Sequence, residues 1–181
     1  QSTGFVSMDD VLVSSGILGA PAIYQCRAMT DDGNIIVGQS ANPNGLGWAG
    51  FIFEFDTDGS WDDVGHAMAG TNGEPSLQGS GPLLPFAQVS LSLSNVLPSA
   101  NAFLIIGLSA LNAPFKSGVL VASPDVIIGP LGTDATGNLD LDSFWASGVP
   151  SGFVTYFQYW IPDAGGPMGF AASNGLTATT P

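Results

Sequence analysis

The side chains of this chain that could do chemistry are few and unevenly placed. Its single histidine, His66, stands near Asp62 and Asp63 and is the one imidazole available as a base beside a nucleophile. No Gly-Xaa-Ser-Xaa-Gly elbow accompanies it, so a hydrolase triad is not expected. One His and one Cys cannot fill a tetrahedral zinc or copper shell without carboxylates. Glu54 and Glu74 are the only glutamates, and most aspartates fall at expected turns, where Asp serves the backbone. The carboxylate pair of a glycosidase is therefore not expected either. We read the chain as carrying no catalytic residues and as not being an enzyme.

Two other chemistries are better supplied. Asp56, Asp58, Asp62 and Asp63 crowd one expected hairpin, and Asp134, Asp140 and Asp142 crowd another, giving hard oxygen ligands at short spacing. Neither run has the twelfth-position glutamate of an EF-hand loop, and turn formation with solvated charge accounts for the same residues. We expect no cofactor, with calcium at Asp56, Asp58, Asp62 and Asp63 as the one ion these residues would admit. Tyr156 and Trp160 offer flat aromatic faces on which a sugar ring could stack. The stretch 5–13 and the tail 177–181 are the segments expected to reach a neighbouring subunit, with Phe5, Val11, Val13 and Leu176 as the apolar contacts.

Strands must position all of these. Gly and Pro punctuate the chain at short intervals, and almost nothing between them has a helical period. Strands over 23–29 and 34–39 are expected to form a hairpin around Thr30-Asp31-Asp32-Gly33, and strands over 50–55 and 60–64 a second one across Asp56-Thr57-Asp58-Gly59. The clearest strand is 88–95, where Val89, Leu91 and Leu93 alternate with Ser90, Ser92 and Ser94. Further strands are expected over 102–108, 118–122, 126–128, 138–141, 153–161 and 171–179. In 153–161 both faces are bulky, so the strand should be covered on both sides, by a second sheet and by the N-terminal hairpins or a neighbouring subunit. The fold class expected is all-β: an antiparallel β-sandwich of about seven strands with an N-terminal β-hairpin appendage. Its divisions would be a hairpin segment over 1–70, a Gly/Pro-rich linker over 71–87 and the sandwich over 88–181.

Charge narrows the partners. Two Lys and Arg residues against fifteen Asp and Glu, a net −13, cannot make a phosphate footprint or an anionic-membrane contact. The most apolar run, 102–111, is about half of the roughly 20 residues a spanning helix needs, so membrane insertion is not expected. The sequence begins at Gln1, the kind of residue left when a signal peptide is removed, and secretion to the extracellular space or cell surface is the expectation. Cys26 is alone, so it is read as a buried thiol or as a bridge to another subunit. No Asn-Xaa-Ser/Thr acceptor occurs, while Thr177-Ala178-Thr179-Thr180 would permit O-linked sugars.

Residues 28–40 (Ala-Met-Thr-Asp-Asp-Gly-Asn-Ile-Ile-Val-Gly-Gln-Ser), 48–53 (Trp-Ala-Gly-Phe-Ile-Phe) and 59–65 (Gly-Ser-Trp-Asp-Asp-Val-Gly) together resemble an extracellular HAF-type repeat, departing from its pattern where Gly50 splits the expected Ala-Phe pair. A single repeat must pack on something else, since such units bury their faces against neighbours. Ser7-Met8-Asp9-Asp10-Val11 echoes Ser60-Trp61-Asp62-Asp63-Val64. Phe157-Gln158-Tyr159-Trp160, Asp163 and Ser173-Asn174-Gly175-Leu176 resemble a β-domain found at the C-terminus of bacterial exported proteins, which implies surface association and no activity. The function expected is that of a secreted structural subunit of a filament, matrix or surface layer, bound through strand edges to other copies of itself or to other surface proteins. The alternative is a soluble extracellular binding module for glycan or calcium.

Overall fold

The computed structural model describes residues 23–29, 35–41, 48–54 and 59–181. It is an all-β chain, an antiparallel β-sandwich with an N-terminal β-hairpin unit, and it divides into Gln1–Asp56 and Thr57–Pro181. In the first unit, β1 (Ile23–Met29), β2 (Ile35–Ala41) and β3 (Trp48–Glu54) form an antiparallel sheet in that order. The β-branched run Ile35-Ile36-Val37 opens its central strand, and Ile36 is buried. The Arg27 guanidinium donates to Gln39 Oε1 at 3.2 Å across the β1–β2 pair. Thr30-Asp31-Asp32-Gly33 and the side chain of Cys26 lie outside the described residues.

The second unit is built from strict alternation. β6 (Gln88–Ser94) buries Val89, Leu91 and Leu93 on one face and turns its serines the other way. It is the centre of a three-stranded sheet, β11-β6-β5, with β5 (Ser76–Ser80) and β11 (Leu139–Phe144) at its edges. The facing sheet runs in the order β10-β7-β12-β14-β4. These strands are β4 (Ser60–Gly65), β7 (Asn101–Gly107), β10 (Val126–Gly132), β12 (Val154–Pro162) and β14 (Gly175–Thr179), with β13 (Phe170–Ala172) pairing with the end of β12 and bridged at Ala172 to Met68. Leu77, Leu91, Leu93, Leu104, Phe157, Tyr159 and Leu176 fill the space between the two sheets.

β12 is covered on both faces, as its sequence predicts, and the cover comes from within the unit. Its outer face places Trp160 with Ile105, Met68, Leu120 and Ala122 under a hairpin of β8 (Ala110–Phe115) and β9 (Gly118–Ala122). Phe115 meets Trp160 edge to face, with ring centroids 4.8 Å apart. Lys116 and Ser117 turn that hairpin with φ of 48° and 69°, the left-handed pair a primed turn needs.

Two expectations are corrected. The stretch 60–64 does not form a hairpin with β3: β3 pairs with β2, whereas β4 pairs with β14, where Trp61 packs against the core. The segment expected to be a linker, 71–87, contains β5 and the buried Leu77 and Leu83, and so belongs to the sandwich. The three pieces that carry the repeat resemblance are accordingly divided between the units.

Candidate functional site

The two lateral sides of the sandwich are built differently. On one side β4 and β5 are locked. Trp61 turns inward from β4, 6.2 Å from Trp145 in an edge-on arrangement and 5.9 Å from Phe157, and its indole N–H donates to the Gly81 carbonyl at 2.9 Å. Its ring lies flat on β5 at Gly79, where a Cβ would stand only 2.0 Å from a ring carbon, so glycine is required by contact. Asn174 then acts as a surrogate strand residue: its Oδ1 accepts from Leu77 N at 2.7 Å and its Nδ2 donates to Leu77 O at 3.0 Å.

Asp163 fastens the β4–β5 connection to the turn after β12. Its carboxylate accepts from Thr71 N at 2.7 Å, from Gly165 N at 2.8 Å and from the Thr71 hydroxyl. Burial pushes this carboxyl upward, but the hydrogen bonds from the Thr71 hydroxyl, Thr71 N and Gly165 N outweigh it and hold it below the usual range. Gln158, fully buried, joins β12 to β9 in the same way. Its Oε1 accepts from Val121 N at 3.0 Å and from the Trp160 indole N–H at 3.1 Å, while its Nε2 donates to Val119 O at 3.1 Å and Ser173 O at 3.2 Å.

The other side is the candidate site. β10 and β11 are the terminal strands of their respective sheets. The connection between them, 133–138, is pinned. Thr133 Oγ1 donates to Leu97 O at 2.8 Å and accepts from Ala100 N at 2.9 Å, and Asp134 Oδ1 accepts from Thr136 N at 2.8 Å and Asn138 N at 2.9 Å. Those bonds, led by Asn138 N, hold the Asp134 carboxyl below its usual range. Away from this pinned end the two sheets enclose an apolar cleft of about 310 Å³ that reaches inward as far as Trp61 of the locked side. Leu104 and Ile106 of β7, Val89 and Leu91 of β6, Ile128 of β10, Leu141 and Phe144 of β11, and Phe153 and Phe157 line it. Apart from the indoles of Trp61 and Trp145, its only polar side chains are the hydroxyls of Ser143 and Thr155, and no charged group lines it. The indole N–H of Trp145 is buried without a partner.

The rim of this cleft is apolar and open to solvent, with Leu108 61% and Phe144 70% exposed. β10 continues it as an uncharged edge whose Val126, Ile127 and Ile128 are all exposed. At its start the Asp125 carboxylate accepts from Leu108 N at 2.8 Å, and that bond, with the Ser123 hydroxyl, holds it below the usual range. β11 differs in carrying Asp140 and Asp142, both exposed and on one face. The sequence signal for this site was the apolar run 126–128 between turn residues, legible as a strand but not as an edge.

Other expected site residues are placed elsewhere. Asp56 and Asp58 lie outside the described residues. Asp62 and Asp63 are adjacent on β4 and so face opposite sides, Asp62 accepting from the Ser60 hydroxyl at 2.8 Å and Asp63 from Gly65 N at 2.7 Å. Among the described residues no three His, Cys, Asp or Glu side chains gather where a cation could be held. The sugar platform is corrected: Trp160 is buried beneath the β8–β9 hairpin, and Tyr156 packs into the same cluster. Leu176 is also corrected, being a core residue of a strand flanked on both sides, as is the expectation that the tail 177–181 reaches outward, since Thr177, Ala178 and Thr180 are buried. Phe5, Val11 and Val13 lie outside the described residues.

What fold and site together define is an all-β sandwich sealed along one side and apolar along the other. No protein-family model, curated protein or solved structure matches the chain. No helix among the described residues is long and apolar enough to cross a membrane.

Proposed function

We propose that this chain is a secreted structural subunit of an extracellular or cell-surface assembly, joined to its neighbours through β-strand edges. The observation that carries this reading is the uncharged, exposed edge of β10, Val126-Ile127-Ile128, beside an apolar cleft. An edge strand of this kind is a template for pairing with another chain, and soluble proteins ordinarily blunt it with charge. Here the neighbouring edge, β11, carries Asp140 and Asp142, whereas β10 carries none. In a chain with a net charge of −13, like-charge repulsion disfavours association almost everywhere, so an uncharged strip is where copies can meet. The register of β10 on β7 is irregular between Ile128 and Leu131, and Pro130 has no N–H to offer a partner, so the first half, Val126-Ile127-Ile128, is the part of the edge best suited to pairing.

Negative-stain imaging and sedimentation of the purified chain over rising concentration test the reading. Ordered polymers are expected for the native sequence and dispersed particles for Ile127→Lys, which places a charge on the exposed edge. A native chain that stays monomeric at high concentration sinks the reading.

A further inference from the structure

We infer that the cleft between β10 and β11 is a binding site for a small neutral molecule, mostly hydrocarbon, that carries one hydroxyl or carbonyl oxygen. The inference goes beyond the assembly reading, which concerns the outer edge of β10, and does not depend on it. Protein interiors are close-packed, with few spaces larger than a water molecule, so a cleft of about 310 Å³ between two sheets departs from ordinary core packing. It falls at the lower end of the roughly 300–1,000 Å³ of small-molecule pockets and has their make-up, apolar and aromatic walls with a few polar groups. The exposed side chains of Leu108 and Phe144 stand at its rim, where a solute can enter.

The wall selects the ligand, and charge comes first. No Lys, Arg, Asp or Glu lines the cleft, and an ion moved into it would lose its hydration with no counter-charge in return. Anions are disfavoured further, since the chain carries a net −13 and the Asp125 carboxylate is bonded to the rim at Leu108 N. Lys116 does not offset this. It lies 4.8 Å from the centroid of the Phe170 ring, in the turn of the hairpin that covers the outer face of β12. Size comes second. An apolar cavity of roughly 150 Å³ holds a single benzene ring, so this cleft matches about two rings, or about twelve carbons.

The one polar function is set by Thr155. Alternation along β12 turns Thr155 to the same side as Phe157, into the space between the sheets. It is only 8% exposed, yet its hydroxyl has no hydrogen-bond partner among the described residues. Trp145 also lines the cleft at 8% exposure, and its indole N–H is unpaired as well. Buried polar groups are ordinarily paired, and a threonine hydroxyl can donate to a carbonyl or accept from another hydroxyl. Water is the poorer partner here, because a buried water needs about two to four polar neighbours and most of this lining is apolar.

Equilibrium dialysis of the full chain tests the inference with three probes of one shape: biphenyl-4-ol, biphenyl and biphenyl-4-carboxylate. Saturable uptake of biphenyl-4-ol, one molecule per chain, is expected, with biphenyl weaker by about threefold to tenfold and the carboxylate weaker by at least about tenfold. Thr155→Val keeps the side-chain shape and removes the hydroxyl, so it should erase the preference for biphenyl-4-ol without changing uptake of biphenyl. Ser143→Trp, at an exposed lining position of β11, puts a ring into the cleft and should abolish uptake of both. Near-ultraviolet circular dichroism checks that both variants keep the native fold. Ile127→Lys, outside the lining, should bind as the native chain does. Absence of saturable uptake overturns the inference, as does uptake of the carboxylate equal to that of biphenyl-4-ol. So does a preference that survives Thr155→Val or uptake that survives Ser143→Trp, since the probe would then sit elsewhere. Loss of uptake in Ile127→Lys overturns it too, because the site would then belong to an assembly and not to one chain.

Discussion

The sealed side and the open side of this sandwich use the same kinds of residue to opposite ends. At β4 and β5 an aromatic ring lies on a glycine and an amide side chain completes a strand, so backbone groups that an edge would leave bare are used inside the unit. At β10 and β11 comparable aromatic and aliphatic groups, Phe144, Ile127 and Leu108, face solvent. An edge is therefore not apolar or polar as a whole. What differs is whether the chain supplies its own cover: the open side is pinned at its turn 133–138, and its apolar rim is left bare.

Substitutions should separate the two sides by size of effect. Asn174→Ala removes both partners of Leu77's backbone and leaves a buried N–H and C=O unpaired. A loss of about 2–4 kcal/mol is expected in denaturant titration, and a loss under about 0.5 kcal/mol would show that water replaces the amide. Gly79→Ala forces Trp61 away from β5 and should cost about 1–3 kcal/mol, with the near-ultraviolet signal of the indole changed at the same time.

Asp163 gives the sealed side a pH dependence. Its folded-state value is depressed, so its contribution is complete above the unfolded value near 3.8 and is lost as pH falls through the lower folded value. Melting curves from pH 5 down to 2 should show a steeper acid limb for the native chain than for Asp163→Asn, and parallel limbs would remove Asp163 from the account. On the open side, Ile127→Lys should change unfolding stability by no more than about 0.5 kcal/mol, because the residue is 60% exposed, even though it is expected to abolish assembly. A large destabilisation there would mean that β10 is held more firmly than its exposure indicates.

Much of the second unit is legible from alternation alone: Val89, Leu91 and Leu93 mark β6, and the doubled bulk of 153–161 marks a strand covered twice. β8 escapes such a reading because Pro114 lies in it and its turn is Lys116-Ser117 in place of the Asn-Gly that announces a hairpin. β5 escapes because Ser76-Leu77-Gln78-Gly79-Ser80 has no β-branched residue, its glycine being needed by Trp61. Gln158, Asp163 and Asn174 stand out in the sequence as signature residues, yet their work is to satisfy buried backbone groups, which only the fold brings near them. The open cleft is hidden for the opposite reason. Its residues look like ordinary core, and that Leu108, Ile128 and Phe144 among them are left exposed depends on which strand falls last in each sheet.

β14 lies between β12 and β4, and the Thr177 hydroxyl donates to Asp62 O at 3.2 Å across a sequence separation of 115 residues. At roughly 5–20 residues per second, a ribosome that has finished β4 takes on the order of ten seconds to deliver its partner. Throughout that interval β4 has no place in the sheet and Trp61 has no pocket. The β10-β7-β12-β14-β4 sheet is therefore completed only when β14 arrives, although local pairs such as β5–β6 and β8–β9 can form before it.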